Sequence, residues 1–94
     1  MITIRKTVII GGGAAGIMAA VNAAGDNTVV TLIEKNEKVA RKVMITGKGR
    51  CNVTNNCDLQ TFIKNVPKNG NFLYSAFSRF SSADTMEFFE NEGV

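Results

Sequence analysis

The sequence contains no histidine and no tryptophan, a single proline (Pro67), one tyrosine and two cysteines, Cys51 and Cys57. Two thiols without an imidazole do not make a zinc site. No apolar run reaches the roughly twenty residues that a membrane-spanning helix needs. Residues 1–6, followed by the apolar stretch from Val8 to Ala24, mimic a secretory leader, but the glycine cluster inside that stretch argues against one. Few cysteines and no leader imply a reducing, cytoplasmic setting. In that setting the sequon Asn52-Val53-Thr54 has no meaning. No residue stands out as a general acid or base.

Charge is sparse and uneven. Eleven Lys and Arg against eight Asp and Glu give a formal charge of +3. Between Glu34 and Arg50 lie Lys35, Lys38, Arg41, Lys42 and Lys48, with only Glu37 opposing them; the last stretch carries Asp84, Glu87, Glu90 and Glu92 and no base. A basic segment of this kind suits a ligand with two phosphates. No aromatic residues interleave with it, which disfavours a nucleic-acid surface.

The most informative stretch is Thr7-Val8-Ile9-Ile10-Gly11-Gly12-Gly13-Ala14-Ala15-Gly16. Val8, Ile9 and Ile10 do not alternate with polar residues, so they read as a strand buried on both faces. Gly11, Gly13 and Gly16 satisfy G-x-G-x-x-G. The first lets the chain turn sharply, the second lets a pyrophosphate approach the backbone, and the third lets the helix lie close to the sheet. The free N–H groups of the following helix then favour an anion. That helix is predicted from Ala14 to Ala24, with Ile17, Ala20, Val21 and Ala24 on one face and Gly25 closing it. Asp26-Asn27 makes the return turn, and Thr28 to Ile33 reads as a second, parallel strand. Glu34 ends that strand where a carboxylate can accept bonds from both adenosine ribose hydroxyls. The rival reading, a glycine-rich turn that only packs a helix on a sheet, leaves the position of Glu34 a coincidence.

Ninety-four residues make at most one small domain, yet a doubly wound sheet needs more strands than two. The expectation is an α/β, Rossmann-like βαβ unit over residues 1–35, a cofactor-contacting loop region over 36–57 and a helical segment over 58–94, together the incomplete N-terminal part of a larger FAD/NAD(P)-binding domain. Exposed apolar surface and an open sheet edge are expected with it. A short helix from Glu37 to Val43 competes with a solvated charged face. Thr46 to Asn55, rich in glycine and small polar residues, is a loop. It either contacts phosphate or ring, or is an ordinary surface loop; Lys42 stands where a Walker A loop needs glycine. Leu59, Phe62, Ile63 and Val66 fit a helix ending near Pro67, Asn69-Gly70-Asn71 a turn, and Phe72 to Phe80 a further short helix. Ser81 or Ser82 caps a last helix that Gly93 closes, and the clustered aromatics read as core.

Gly11 to Gly16, Leu32-Ile33-Glu34-Lys35-Asn36, Arg41-Lys42 and Ile45-Thr46-Gly47-Lys48-Gly49-Arg50-Cys51-Asn52-Val53-Thr54-Asn55 together resemble the bacterial flavoprotein family called HI0933-like or BaiN-like. The resemblance covers the whole chain, and Thr-Gly-Lys-Gly-Arg-Cys-Asn is its most diagnostic motif. It implies an FAD-dependent, NAD(P)H-linked oxidoreductase whose parent chain is several times longer, with reduction of unsaturated steroid-type substrates known among members. It further implies that Gly11, Gly13, Ala14, Ala15 and Gly16 hold the FAD pyrophosphate and Glu34 the ribose, with Lys35 beside the adenine. Arg41 and Lys42 would lie along the cofactor, and Gly49, Arg50, Cys51 and Asn52 would wrap toward its flavin half. The chain departs from the pattern at Ala40, where the resemblance leads one to expect glycine. Cys51 and Cys57 have five residues between them, against four in flavin disulfide reductases, so buried or backbone-positioning thiols are favoured over a redox pair.

The reading is therefore an enzyme piece, expected to be inactive alone, that serves a flavin oxidoreductase in passing hydride from NAD(P)H via FAD to an organic acceptor. Its partners are the dinucleotide and the rest of the parent chain, with no membrane and with nucleic acid disfavoured. The alternatives are an FAD-linked, tRNA-associated or nucleotide-binding module and an NAD-binding domain without flavin.

Overall fold

The computed structural model describes residues 2–45 and 52–94, and it divides into two compact units, residues 1–52 and 53–94.

The first unit is a βαβ arrangement. Strand β1 (Arg5–Ile10) and strand β2 (Thr28–Ile33) pair in parallel, in register from Arg5 opposite Thr28 to Ile10 opposite Ile33. Helix α1 (Ala14–Ala23) connects them and packs on both. The ladder is extended at each end, by Arg5 N–H to the Asn27 carbonyl and by Gly11 N–H to the Ile33 carbonyl, both 2.8 Å. Helix α2 (Arg41–Ile45) follows β2.

Among the described residues, only one face of this two-stranded sheet is covered. Ile9, Val30 and Leu32 are half-buried on the α1 side, whereas Val8, Ile10, Val29 and Ile33 point the other way and are exposed, Ile10 by 76%. The expectation of strands buried on both faces is corrected accordingly: an apolar run that does not alternate fits two covered faces, and a single helix supplies one. The expected apolar surface is present on the other.

Helix α1 ends differently from its sequence reading. Ala24 is already extended, and its N–H closes the helix on the Ala20 carbonyl. Gly25 does not adopt the left-handed conformation; Asn27 does, at φ 59°. Asparagine tolerates that region because its short polar side chain can bond locally. The covered residues are Gly16, Ile17, Met18, Ala20 and Ala23, while Val21 and Ala24 are exposed. The helix placed over Glu37 to Val43 starts four residues later, at Arg41.

The second unit is helical: α3 (Leu59–Lys64), a 3-10 turn (Gly70–Leu73), α4 (Tyr74–Arg79) and α5 (Ser82–Asn91). Asp58 caps α3 by accepting from Thr61 N–H at 2.7 Å, and this bond holds its carboxyl below the usual range. The helix stops at Lys64, short of Pro67. The residue before a proline is steered out of the helical region, and Asn65 takes the Thr61 carbonyl with its side-chain amide. Gly70 is required: a Cβ there would lie 2.5 Å from the Ile63 carbonyl oxygen. The core of this unit is small. Phe77, 8% exposed, stacks on Phe62 at 4.0 Å, and Phe88 meets Phe80 and Phe89 edge-on. Phe72 is 86% exposed, so the aromatics are not uniformly core.

Helix α5 has the capping box that its sequence suggests. Asp84 N–H donates to the Ser81 hydroxyl, and Ser81 N–H donates to the Asp84 carboxylate, which lowers the affinity of Asp84 for a proton. Gly93, at φ 87°, follows its last turn. Ser82, 1% exposed, accepts from the Thr54 hydroxyl at 3.1 Å. Loss of the cap in Ser81→Ala is expected to cost about 1 kcal/mol in urea denaturation; an unchanged midpoint would count against the capping assignment.

Candidate dinucleotide site

The site is built from the turn after β1. Gly11 leaves the strand at φ 100°, a conformation open to glycine. Its carbonyl oxygen then occupies the space beside Gly16, where a Cβ would come within 1.8 Å of it. Gly16 is thus fixed by the close approach of helix to turn, as its place in the fingerprint requires. Gly13 begins α1 as its N-cap, and among the described residues nothing lies within 4 Å of the point where its Cβ would be. Ala14 and Ala15 are exposed. The N–H groups of Ala14, Ala15 and Gly16 have no acceptor within the helix. The first turn carries no acidic side chain, so the positive end of the helix dipole is uncompensated. The result is an open cup of backbone donors.

Glu34 faces that turn from the end of β2. One carboxylate oxygen accepts from Gly12 N–H at 2.8 Å and the other from Asn36 N–H at 2.7 Å. These donors, Asn36 first and Gly12 second, hold the Glu34 carboxyl below the usual carboxylate range, with Lys35 adding a smaller effect of the same sign. Because the folded-state value is lowered, the ionised carboxylate stabilises the fold above the unfolded-state pKa. That contribution is lost as pH falls through the lower folded-state pKa. Each oxygen retains a lone pair beyond the backbone bond it makes, so the side chain can still accept from a ligand hydroxyl.

Gly12, the middle glycine, is the residue that the fingerprint alone does not single out. It is buried. Its N–H meets Glu34, and its carbonyl accepts from Ala40 N–H at 2.6 Å. A Cβ on it would sit 2.9 Å from Val39 Cγ1 and 3.2 Å from Glu34 Cβ and Cγ. The run of three glycines is the signal that could have marked it. Ala40 lies in the left-handed region at φ 57°, which accounts for the glycine expected there. An alanine in that region costs about 1–2 kcal/mol.

The structure brings Gly11, Gly13, Ala14, Gly16 and Glu34 to one turn, with Ala15 beside them on α1. Lys35 and Arg41 line a surface hollow of about 490 Å³, together with Lys38, Met44 and Ile45. Lys42 is exposed and is not part of that lining. Asn52 is exposed at the limit of the first unit. Gly49, Arg50 and Cys51 lie outside the described residues, as does most of the Thr46–Asn55 loop; Asn52 to Asn55 have no regular structure. Cys57 is a half-buried free thiol. Among the described residues no acidic or cysteine cluster could hold a metal, and no helix is long and apolar enough to cross a membrane.

The sequence profile described as HI0933-like protein Rossmann domain matches residues 5–94. The chain belongs to this family. It is 39% identical over 90 residues to the 3-dehydro-bile acid delta(4,6)-reductase of Clostridium scindens, an alignment covering 92% of this chain and 21% of the relative. It is 32% identical over 90 residues to the ribosomal RNA dihydrouridine synthase of Haemophilus influenzae, covering 95% of this chain and 22% of the relative. The corresponding Escherichia coli synthase is also 32% identical, with 93% and 21% covered. The HI0933-like chain therefore spans about a fifth of the length of these relatives. These relatives bear the names of enzymes.

Two glycines of the fingerprint separate by experiment. Gly16→Ala is expected to destabilise the protein by roughly 3 kcal/mol or more, since backbone must move. Gly13→Ala should stay within about 1 kcal/mol of the unsubstituted protein, the ordinary range for an N-cap change. Denaturation midpoints check both, and equal losses would contradict this description of the turn.

Proposed function

We propose that this chain forms the FAD-binding N-terminal part of a flavin-dependent oxidoreductase in which hydride passes from NAD(P)H via FAD to an organic acceptor. The observation that carries the reading is the open cup of N–H groups at α1 beside a carboxylate already anchored at the end of β2. Those two features suit the two chemically distinct parts of an adenosine diphosphate half. The residues present fit the group, because no described residue fills the space in front of Gly13 and a side chain there would intrude on it. The flavin supplies the redox chemistry, and the protein supplies binding, orientation and electrostatics.

In this reading the N–H groups from Gly13 to Gly16 hold the pyrophosphate. Glu34 accepts from the ribose hydroxyls, and its negative charge disfavours a phosphate on that ribose. Lys35 lies beside the adenine, with Arg41 and Lys42 along the cofactor. Gly49, Arg50, Cys51 and Asn52 reach toward the flavin half. The setting is a reducing cytoplasm, where Cys57 stays a thiol.

Two features favour a second reading of the acceptor. Two relatives are named as ribosomal RNA dihydrouridine synthases, and Lys35, Lys38 and Arg41 line one hollow. A base within RNA is therefore an acceptor to set against an unsaturated steroid-type compound. Binding of RNA that weakens steeply with salt would support it.

The test is an absorbance spectrum of the full-length protein before and after denaturation. Flavin bands, with an adenine-containing dinucleotide released on unfolding, are expected. A colourless protein that also fails to take up added FAD would contradict the proposal. NAD(P)H oxidation with each acceptor then separates the two readings.

A further inference from the structure

Ala40 is not part of the glycine fingerprint and has no functional side chain, yet it occupies an unusual conformation against the fingerprint's most buried residue. Its φ of 57° places it in the left-handed region. Its N–H donates to the Gly12 carbonyl at 2.6 Å, and its own carbonyl accepts from Met44 N–H at 3.1 Å, so it also starts α2. The other two non-glycine residues with positive φ are asparagines, Asn27 and Asn69, which tolerate it. Alanine has no side-chain means of offsetting the cost.

The consequence lies on the other side of one peptide plane. No cis peptide occurs among the described residues, so the carbonyl of Gly12 and the N–H of Gly13 point in opposite directions. The Ala40 bond fixes the carbonyl, and the Gly13 N–H is thereby turned away from Ala40. Among the described residues it has no acceptor, and none of their atoms lies within 4 Å of the Cβ point at that residue. The preceding peptide is fixed as well, because Gly12 N–H is held by Glu34. Two successive peptide planes are therefore set from outside the turn, one by a carboxylate and one by a backbone amide.

We propose that Ala40 is a positioning residue for the diphosphate of the dinucleotide: its left-handed N–H holds the Gly12–Gly13 peptide so that the Gly13 N–H is presented to an anion. This rests on the dinucleotide reading above. The side chain of residue 40 acts through its backbone preference alone, so glycine serves as well as alanine and a β-branched residue serves poorly.

The experiment uses the full-length protein freed of bound cofactor, with ADP and adenosine as probes in titration calorimetry and FAD as a reference ligand. Ala40→Val is expected to weaken ADP about tenfold, as the population of the competent turn falls, while adenosine stays within about twofold. Ala40→Gly, which keeps the N–H and relieves the backbone, is expected to bind ADP at least as tightly as the unsubstituted protein. Equal weakening of ADP and adenosine in Ala40→Val would mark a general structural defect and overturn the proposal. So would an unchanged ADP affinity. If Ala40→Val fails to fold, Ala40→Gly decides: a tenfold loss of ADP there overturns the proposal, and retained or tighter binding supports it. An unsubstituted protein that binds neither ADP nor FAD overturns the dinucleotide reading itself, and this inference falls with it.

Discussion

The Glu34 carboxylate and the Gly12 amide, 2.8 Å apart, join the end of β2 to the turn after β1. A charged acceptor makes this stronger than a bond between neutral groups. It also accounts for several residue identities at once. A side chain on Gly12 would press on Val39 and the Glu34 stem, which would have to shift. Ala40 must adopt a left-handed backbone to reach the Gly12 carbonyl. Asn36 supplies a second N–H to the same carboxylate, and the two bonds together favour its ionised form.

The three fingerprint glycines answer to different constraints. Gly11 is there for its φ, Gly16 for a backbone oxygen that leaves no room for a Cβ, and Gly13 has no described atom within 4 Å of where a Cβ would be. A substitution at each would fail in its own way. Structure and binding are thus separable within six residues. The first turn of α1 carries no acidic side chain, so its unpaired N–H groups and the helix dipole leave that end electropositive without a basic side chain. The basic residues from Lys35 to Arg41 gather instead around a hollow that adjoins Glu34 in sequence.

Much of this was legible in the sequence where local chemistry decides the outcome. Strand β2 falls on Thr28 to Ile33 as predicted, helix α1 is right to within a residue at its end, and the Ser81 cap and Gly93 stop are where their residue types place them. Readings that depended on partners fared less well. The apolar run in β1 says that both faces suit burial, but not what covers them, and Val8 and Ile10 are exposed. Helix α2 starts late because Ala40 is committed to Gly12, a contact 28 residues away in sequence that no periodicity records. Helix α3 stops at Lys64, where Asn65 closes it with both its N–H and its side-chain amide on the Thr61 carbonyl. Gly12 was passed over because the fingerprint counts it as a variable position. The roles of Gly49, Arg50 and Cys51 lie outside the described residues.

The account's central claim is that an ionised Glu34 holds the glycine turn through Gly12. It is tested most directly by following the Gly12 amide resonance in a pH titration by NMR. The prediction is a large shift of that amide with a midpoint below 4.5, the ordinary carboxylate value, matched by the Asn36 amide and abolished in Glu34→Gln. A Gly12 amide that is indifferent to acid, or that titrates at the ordinary value and continues to do so in Glu34→Gln, would contradict it.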